Sequence, residues 1–169
     1  MIYSLIQNIK NKIHDMKTIS KLCVGAEAYA NQYGEEKPGA EHFMLASLDL
    51  PDDSVRKIFE KLGVDPHGMH QAIKNQHTEA LASIGIVNEE IKLETIKPRM
   101  KLYDTKPSGQ IVMQKIYQNN KARKTRLIGA HVIEVISSME YGIAIRALQT
   151  MGIDLVTLKK AVKAECNHV

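Results

Sequence analysis

The sequence predicts an all-α fold in which two four-helix units pack face to face with pseudo-two-fold symmetry, after an extra N-terminal amphipathic helix. A length of 169 residues suits one compact domain, so we treat 1–169 as a single domain. Aromatic residues make up only 5 % and Trp is absent, so the core must be aliphatic, which suits helix packing better than a β-sandwich. Residues 19–76 also align with 108–165 without a gap after a shift of 89 positions, which indicates an internal repeat.

Residues 1–17 form the predicted extra helix. Its apolar residues follow 3.6-residue spacing: Ile2, Leu5, Ile6, Ile9, Ile13 and Met16. Asn, Gln and Lys occupy its other face. This pattern favours packing on its own domain or on a partner chain over a membrane surface, and it makes the segment a candidate for homodimerisation.

The first unit, residues 18–76, reads as four helices punctuated by Gly and Pro. Gly34 ends the first of them, and Pro38 bars its continuation. The predicted spans are about Thr18–Tyr33, Ala40–Leu50, Ser54–Leu62, and a helix capped by Asp65 with Pro66 in its first position.

The second unit, residues 108–166, repeats this order. The shift of 89 pairs His42 with His131 and Leu62–Asp65 with Met151–Asp154. Pairing Gly39 and Ala40 with Gly129 and Ala130 instead would place His131 opposite Glu41. Between the units lies a connector, residues 77–107, whose start can finish a helix. The rest reads as extended or hairpin-like and is basic around Lys97–Lys101.

Composition limits the function classes. A net charge of +4 is low for a dedicated nucleic-acid binder. Cys23 and Cys166 belong to no CxxC motif, so we expect two free thiols in a reducing compartment. No signal peptide and no run of about 20 apolar residues is present, which predicts a soluble, cytoplasmic protein.

Two segments resemble a known family. "YGEEKPGAEHFMLASL", followed by "VRKIFEKLGVDPHGMHQAI", and later "IGAHVIEVISSMEYGIAIRALQTMGIDLVTLKKAV" are similar to the two repeats of the Clp N-terminal domain of Clp/Hsp100 unfoldases. The resemblance covers about Thr18 to Val162. It implies two four-helix Clp-type repeats and a non-catalytic module that docks adaptor proteins and substrate polypeptides, in some members phosphorylated arginine. No cofactor is implied.

In this family the ATPase lies in AAA+ modules elsewhere in the parent chain. The sequence contains no GxxxxGKS or GxxxxGKT motif. Its initial Met and untagged end favour a free-standing protein, whereas a fragment would be the cap of an unfoldase. The implied partners are adaptors or substrate polypeptides of a Clp protease and a Clp ATPase.

The resemblance singles out Glu41 as the ligand- or peptide-binding candidate. It matches the family glutamate of Gly-Thr-Glu-His, which contacts the guanidinium group in phosphoarginine-binding members. Carboxylates bind guanidinium through two parallel charge-assisted bonds. The alternative, an acidic residue that only stabilises a first helical turn, is favoured over a binding role. Ala130 or His131 stands at the second glutamate position, so the resemblance confines any such site to the first repeat.

The histidines read mainly as structural. His42 and His131 are expected to tie helix starts to the fold. The helical spacing of His67, His70 and His77 could form a weak transition-metal site, but ordinary solvent-exposed side chains are favoured, and we predict no metal site.

Two further hypotheses remain at this stage. Lys97–Lys101 and Lys121–Arg126 could make the protein a basic nucleic-acid-binding regulator, although for the second segment a solvated cationic helix end is favoured. An enzyme is disfavoured, because no paired carboxylates, nucleophile–base pair or phosphate loop is found. Four methionines are predicted to be core residues: Met44, Met69, Met139 and Met151.

Overall fold

The computed structural model describes residues 2–85, 104–123 and 125–168, with side chains for residues 6–85, 104–120, 123 and 125–168. The described part contains eight helices and no strand, which confirms the all-α class. In chain order they are α1 (Ile2–Gln32), α2 (Ala40–Leu48), α3 (Ser54–Lys61), α4 (Gly68–Ser83), α5 (Pro107–Ala122), α6 (Gly129–Ser137), α7 (Ile143–Thr150) and α8 (Leu155–Asn167).

Helix α1 is continuous, so the prediction of a separate N-terminal helix is wrong. No Gly or Pro stands near Met16–Thr18, and a helix without such an interruption continues. Its two halves differ in burial. Leu22, Ala26 and Ala30 are fully buried, whereas an apolar stripe of the first half is exposed. The stripe consists of Ile6, Ile9, Ile13 and Met16. These residues are not part of the hydrophobic core of their own domain, and a role in homodimerisation stays a prediction.

Helices α2 and α6 form the centre of the molecule and contact each other. All nine residues of α2 are buried, as are eight of the nine in α6. Short helices that are apolar almost all round must be enclosed by other elements. Here α1 packs against α2, α5 packs against both α2 and α6, and α3, α7 and α8 also pack against α6. Polar groups in these two helices are therefore buried as well.

The bounds of two pairs of helices follow the register of 89 residues. Moving α2 and α3 by that number reproduces the bounds of α6 and α7. Helix α4 begins at Gly68, two residues later than predicted. Asp65 and Pro66 form a turn instead, in which the Asp65 side chain accepts the backbone N–H of His67. Helix α4 continues to Ser83, through the first part of the 77–107 segment. The extended segment predicted around Lys97–Lys101 lies outside the described residues.

Gly129 marks the closest approach of α6 to the end of α2. A Cβ atom there would lie 2.7 Å from Val55 Cγ2 and 2.9 Å from the backbone oxygen of Ser47. Gly129→Ala should lower the free energy of unfolding by about 1–3 kcal/mol, because backbone atoms must move apart. Urea denaturation measures this.

The matched control is Gly68→Ala, at the first residue of α4. Its Cβ would meet only Met151 Cε, at 3.7 Å. Alanine is a better helix former than glycine, so this variant should be neutral or up to about 1 kcal/mol more stable. Equal losses in both variants would contradict close packing at Gly129.

The structure also places the two cysteines and the four methionines that were predicted to be core residues. Cys23 and Cys166 are free, half-buried thiols, and burial raises the pKa of Cys166 to about 12. Met44 and Met69 are fully buried, and Met139 and Met151 pack on the core with partial exposure. No helix in the described ranges is long and apolar enough to cross a membrane.

Candidate functional site

Two acidic residues, two histidines and a lysine meet beside the start of α2. We call this set, Glu35, Glu41, His42, His77 and Lys106, the Glu/His cluster. One ligand atom from each acidic residue and histidine lies within 4.8 Å of the others. Glu35 comes from the turn after α1, His77 from α4, and Lys106 immediately precedes α5. The cluster therefore joins segments that are distant in sequence.

His42 holds the start of α2. Its Nδ1 accepts the backbone N–H of Gly39 at 2.9 Å, in the way that Glu or Gln closes a capping box. The side chain is fully buried. Burial, aided by the nearby charges of Lys106 and His77, lowers the pKa of His42 to about 3. Its ring is thus neutral at pH 7, and because Nδ1 is the acceptor, the proton lies on Nε2.

Glu41 is the most buried carboxylate of the cluster, with 3 % of its surface exposed. Its Oε1 lies 3.5 Å from Lys106 Nζ and 3.5 Å from His42 Nδ1, without a hydrogen-bond partner. Lys106 forms a closer ion pair with Glu35. Two carboxylates therefore share one ammonium group in a site that excludes most water. Gly39 makes room for the Glu41 carboxylate, because a Cβ at that position would collide with it.

A cavity of about 220 Å³ opens directly next to Glu41. We call it the α2 cavity. Apolar side chains of the α6–α7 region line it, among them Met139, Ile143 and Ala144. Lys106 and Arg146 add cationic groups, and Tyr141 stands at its wall with 81 % of its surface exposed. The cavity thus combines an apolar wall with a buried carboxylate and two cations.

The start of α6 is built differently. His131 occupies the same helix position as His42, and its Nδ1 accepts the backbone N–H of Ile128 at 3.2 Å. Ala130 stands where α2 has Glu41. Instead, the backbone N–H of Gly129 donates to the Asp52 carboxylate, and the backbone N–H of Ala130 donates to Ser54 Oγ. The chain therefore supplies its own carboxylate to this helix start, from the α2–α3 turn.

The sequence predicted no metal site from His67, His70 and His77, and of these three residues only His77 belongs to the Glu/His cluster. His67 is exposed, whereas the His70 ring packs against the Tyr29 ring and its Nδ1 lies 3.4 Å from the Tyr33 hydroxyl. His77 lies with its Nδ1 3.4 Å from Glu35 Oε1 and stacks on Tyr33. The expectation of solvent-exposed side chains is therefore wrong for His70 and His77, which are half-buried.

The basic segment Lys121–Arg126 is not a uniform cationic surface. Arg123 is 8 % exposed and donates from Nη2 to Asp15 Oδ2 at 3.0 Å. A guanidinium that is committed to a buried carboxylate cannot also contact phosphates. Arg126 is exposed, and Lys97–Lys101 lies outside the described residues. The nucleic-acid hypothesis therefore loses one of its cations.

The Glu/His cluster itself was missed by sequence reasoning. The sequence predicts only a structural role for His42, yet Glu41 is adjacent and Glu35 Oε2 lies 3.5 Å from His42 Nε2. The available signal was the crowding of Glu35, Glu41 and His42 around one glycine-containing turn. The arrangement can hold a cation or orient a cationic side chain.

Neither a search against protein-family models nor a search of curated proteins finds a match for this chain.

Proposed function

We propose that this chain is a non-catalytic protein-binding module that docks adaptors or substrate polypeptides for a Clp chaperone-protease system. The observation that carries the proposal is the α2 cavity, with Glu41 buried at its edge. Its volume of about 220 Å³ is below the roughly 300–1,000 Å³ of most small-molecule pockets. It suits a single side chain of a bound polypeptide.

The packing of the helices supports the resemblance to Clp-type repeats. Helices α2 and α6 contact each other, α4 packs on α7, and α3 packs on α8. These contacts exchange if the two halves are related by a two-fold axis between α2 and α6. The shared helix bounds and the His42 and His131 caps point the same way. We therefore propose two four-helix repeats with pseudo-two-fold symmetry, with the bounds 18–76 and 108–166 that the sequence predicts.

The chemistry of the α2 cavity favours an arginine side chain as the occupant. A guanidinium could pair with the Glu41 carboxylate through two parallel bonds, after displacing the ammonium of Lys106. Lys106 has 34 % of its side chain exposed, so it can turn toward solvent. Lys106 and Arg146 would then face an acidic or phosphorylated group on the ligand. The second repeat supplies no such site, because Asp52 already occupies the start of α6.

The test compares three labelled, unstructured peptides that differ at one position: arginine, phosphoarginine or citrulline. Citrulline has nearly the shape of arginine without the charge. We expect both arginine forms to bind, and citrulline to bind at least about tenfold more weakly, which is the equivalent of 1.4 kcal/mol. Fluorescence anisotropy measures the affinities.

Two substitutions connect this binding to the α2 cavity. Glu41→Gln and Tyr141→Ala should each weaken binding of the arginine peptide by about tenfold or more. The first substitution removes the carboxylate, and the second removes a side chain that forms a wall of the α2 cavity. Val156→Ala, at an exposed apolar residue of α8, is the matched control and should leave binding unchanged. Equal affinity for arginine and citrulline in the wild type would refute the proposed occupant.

A further inference from the structure

We infer that the Glu/His cluster is a binding site for a divalent transition metal such as Zn²⁺, held by Glu35, Glu41 and His77. Carboxylate oxygens and imidazole nitrogens are the ligands that Zn²⁺ takes in sites with an open position. The candidate donor atoms lie within 4.8 Å of one another. Small side-chain rotations would bring them to coordination distance.

A buried carboxylate oxygen without a hydrogen-bond partner, Glu41 Oε1, points independently to a cation site. Glu41 Oε1, His42 Nε2 and His77 Nε2 are buried and have no hydrogen-bond partner. Glu41 is 3 % exposed and His42 is fully buried. Buried polar groups in native proteins nearly always have partners, and an absent ion is one accepted reason for an exception. A metal ion between the carboxylates would satisfy Glu41 Oε1.

His42 is excluded as a direct ligand by its own hydrogen bond. Its Nδ1 accepts the N–H of Gly39, so the neutral ring carries its proton on Nε2. That N–H lies 3.5 Å from Glu35 Oε2 without a hydrogen bond, and a small shift of the carboxylate on metal binding would let it donate. His42 therefore acts as a positioning residue that orients the Glu35 carboxylate, as outer-shell partners of metal ligands do.

Lys106 is the internal competitor of the metal. Its ammonium pairs with Glu35 and lies 3.5 Å from Glu41 Oε1, between the two carboxylates. A bound metal must displace it, and 34 % exposure of the lysine side chain allows this movement. Removal of the lysine charge should therefore strengthen metal binding, whereas most substitutions in a binding site weaken it.

The experiment is a Zn²⁺ titration of the full chain against a chromophoric chelator, with Co²⁺ absorption spectra in parallel. The wild type should bind one Zn²⁺. Glu41→Gln and His77→Gln should weaken binding by more than about 100-fold, beyond the range for loss of an outer-shell partner. Lys106→Met should bind at least about tenfold more tightly. His67→Gln, at an exposed histidine beside the start of α4, is the matched control and should be unchanged.

His42→Gln separates a positioning role from a ligand role. Glutamine can still accept the Gly39 N–H, so α2 should keep its start. Affinity should fall about 10–100-fold while the Co²⁺ spectrum keeps its shape. A changed spectrum would make His42 a ligand and overturn the assignment. A wild type that binds no Zn²⁺, or a Glu41→Gln or His77→Gln variant that binds like the wild type, would overturn the site.

This inference is independent of the proposed arginine pocket, although both use Glu41. His77 does not line the α2 cavity, and Tyr141 is not part of the Glu/His cluster. His77→Gln should abolish tight metal binding and keep peptide binding, whereas Tyr141→Ala should do the reverse. Failure of one proposal is thereby distinguished from failure of the other.

Discussion

Replacement of Asp15 by alanine is expected to lower the free energy of unfolding by about 3–5 kcal/mol, the range for breaking a buried ion pair. Asp15 accepts Arg123 Nη2 at 3.0 Å through one oxygen and the backbone N–H of Leu127 at 2.6 Å through the other. The two side chains are 7 % and 8 % exposed. The variant would leave a buried guanidinium and a backbone N–H without their carboxylate. Urea denaturation measures the loss.

The control for this prediction is Asp154→Ala. Asp154 caps the start of α8 through Thr157 at a solvent-exposed position, so its loss should be clearly smaller. The paired replacement Asp15→Leu with Arg123→Met should recover much of the stability, because an apolar pair needs no desolvated charge. An Asp15→Ala variant no less stable than Asp154→Ala would show that the ion pair does not hold α1 to the start of α6.

The second large effect is a loss of stability in mild acid. Burial, reinforced for His131 by Arg123, lowers the pKa values of His42 and His131 to about 3 and about 4. Below the ordinary value of 6.5, the unfolded chain binds protons that the folded protein excludes, so stability falls as pH falls. Between pH 6.5 and 5, each imidazole should cost roughly 1–2 kcal/mol, because it is already half protonated in the unfolded chain at pH 6.5.

Glutamine variants isolate this contribution. His42→Gln and His131→Gln keep a side-chain acceptor for the cap N–H of Gly39 and Ile128, but they do not titrate. The double variant should therefore lose much less stability than the wild type between pH 6.5 and 5, as measured by urea midpoints at fixed ionic strength. Parallel pH profiles for the two proteins would contradict buried neutral histidines.

Periodicity and punctuation predicted much of the fold. Apolar spacing located every helix of the first unit, and the shift of 89 residues located those of the second. Errors arose where a local signal was weak. No Gly or Pro lies between Met16 and Thr18, so α1 continues through this region. The Asp65 side chain closes a turn that precedes α4, whereas the prediction placed it at the first turn of that helix. These are choices between nearly equal local structures.

The candidate site was predicted less completely. Glu41 was identified from the sequence, but as an isolated carboxylate. Its partners Glu35, His77 and Lys106 come from three other segments, and only packing of α1, α4 and α5 around α2 brings them together. No local spacing encodes such a contact. The same holds for Asp15 and Arg123, which lie 108 positions apart.

The sequence by itself determined the helical class, the order of the helices and the repeated His-capped helix start, because these depend on residues within one or two turns. The tertiary structure decided which of the two helix starts keeps an unsatisfied carboxylate. Around α6, Asp52 and Ser54 take the free N–H groups. Around α2, Glu41 is enclosed with Glu35 and shares one lysine with it. Burial of two like charges beside a single cation is a property of packing.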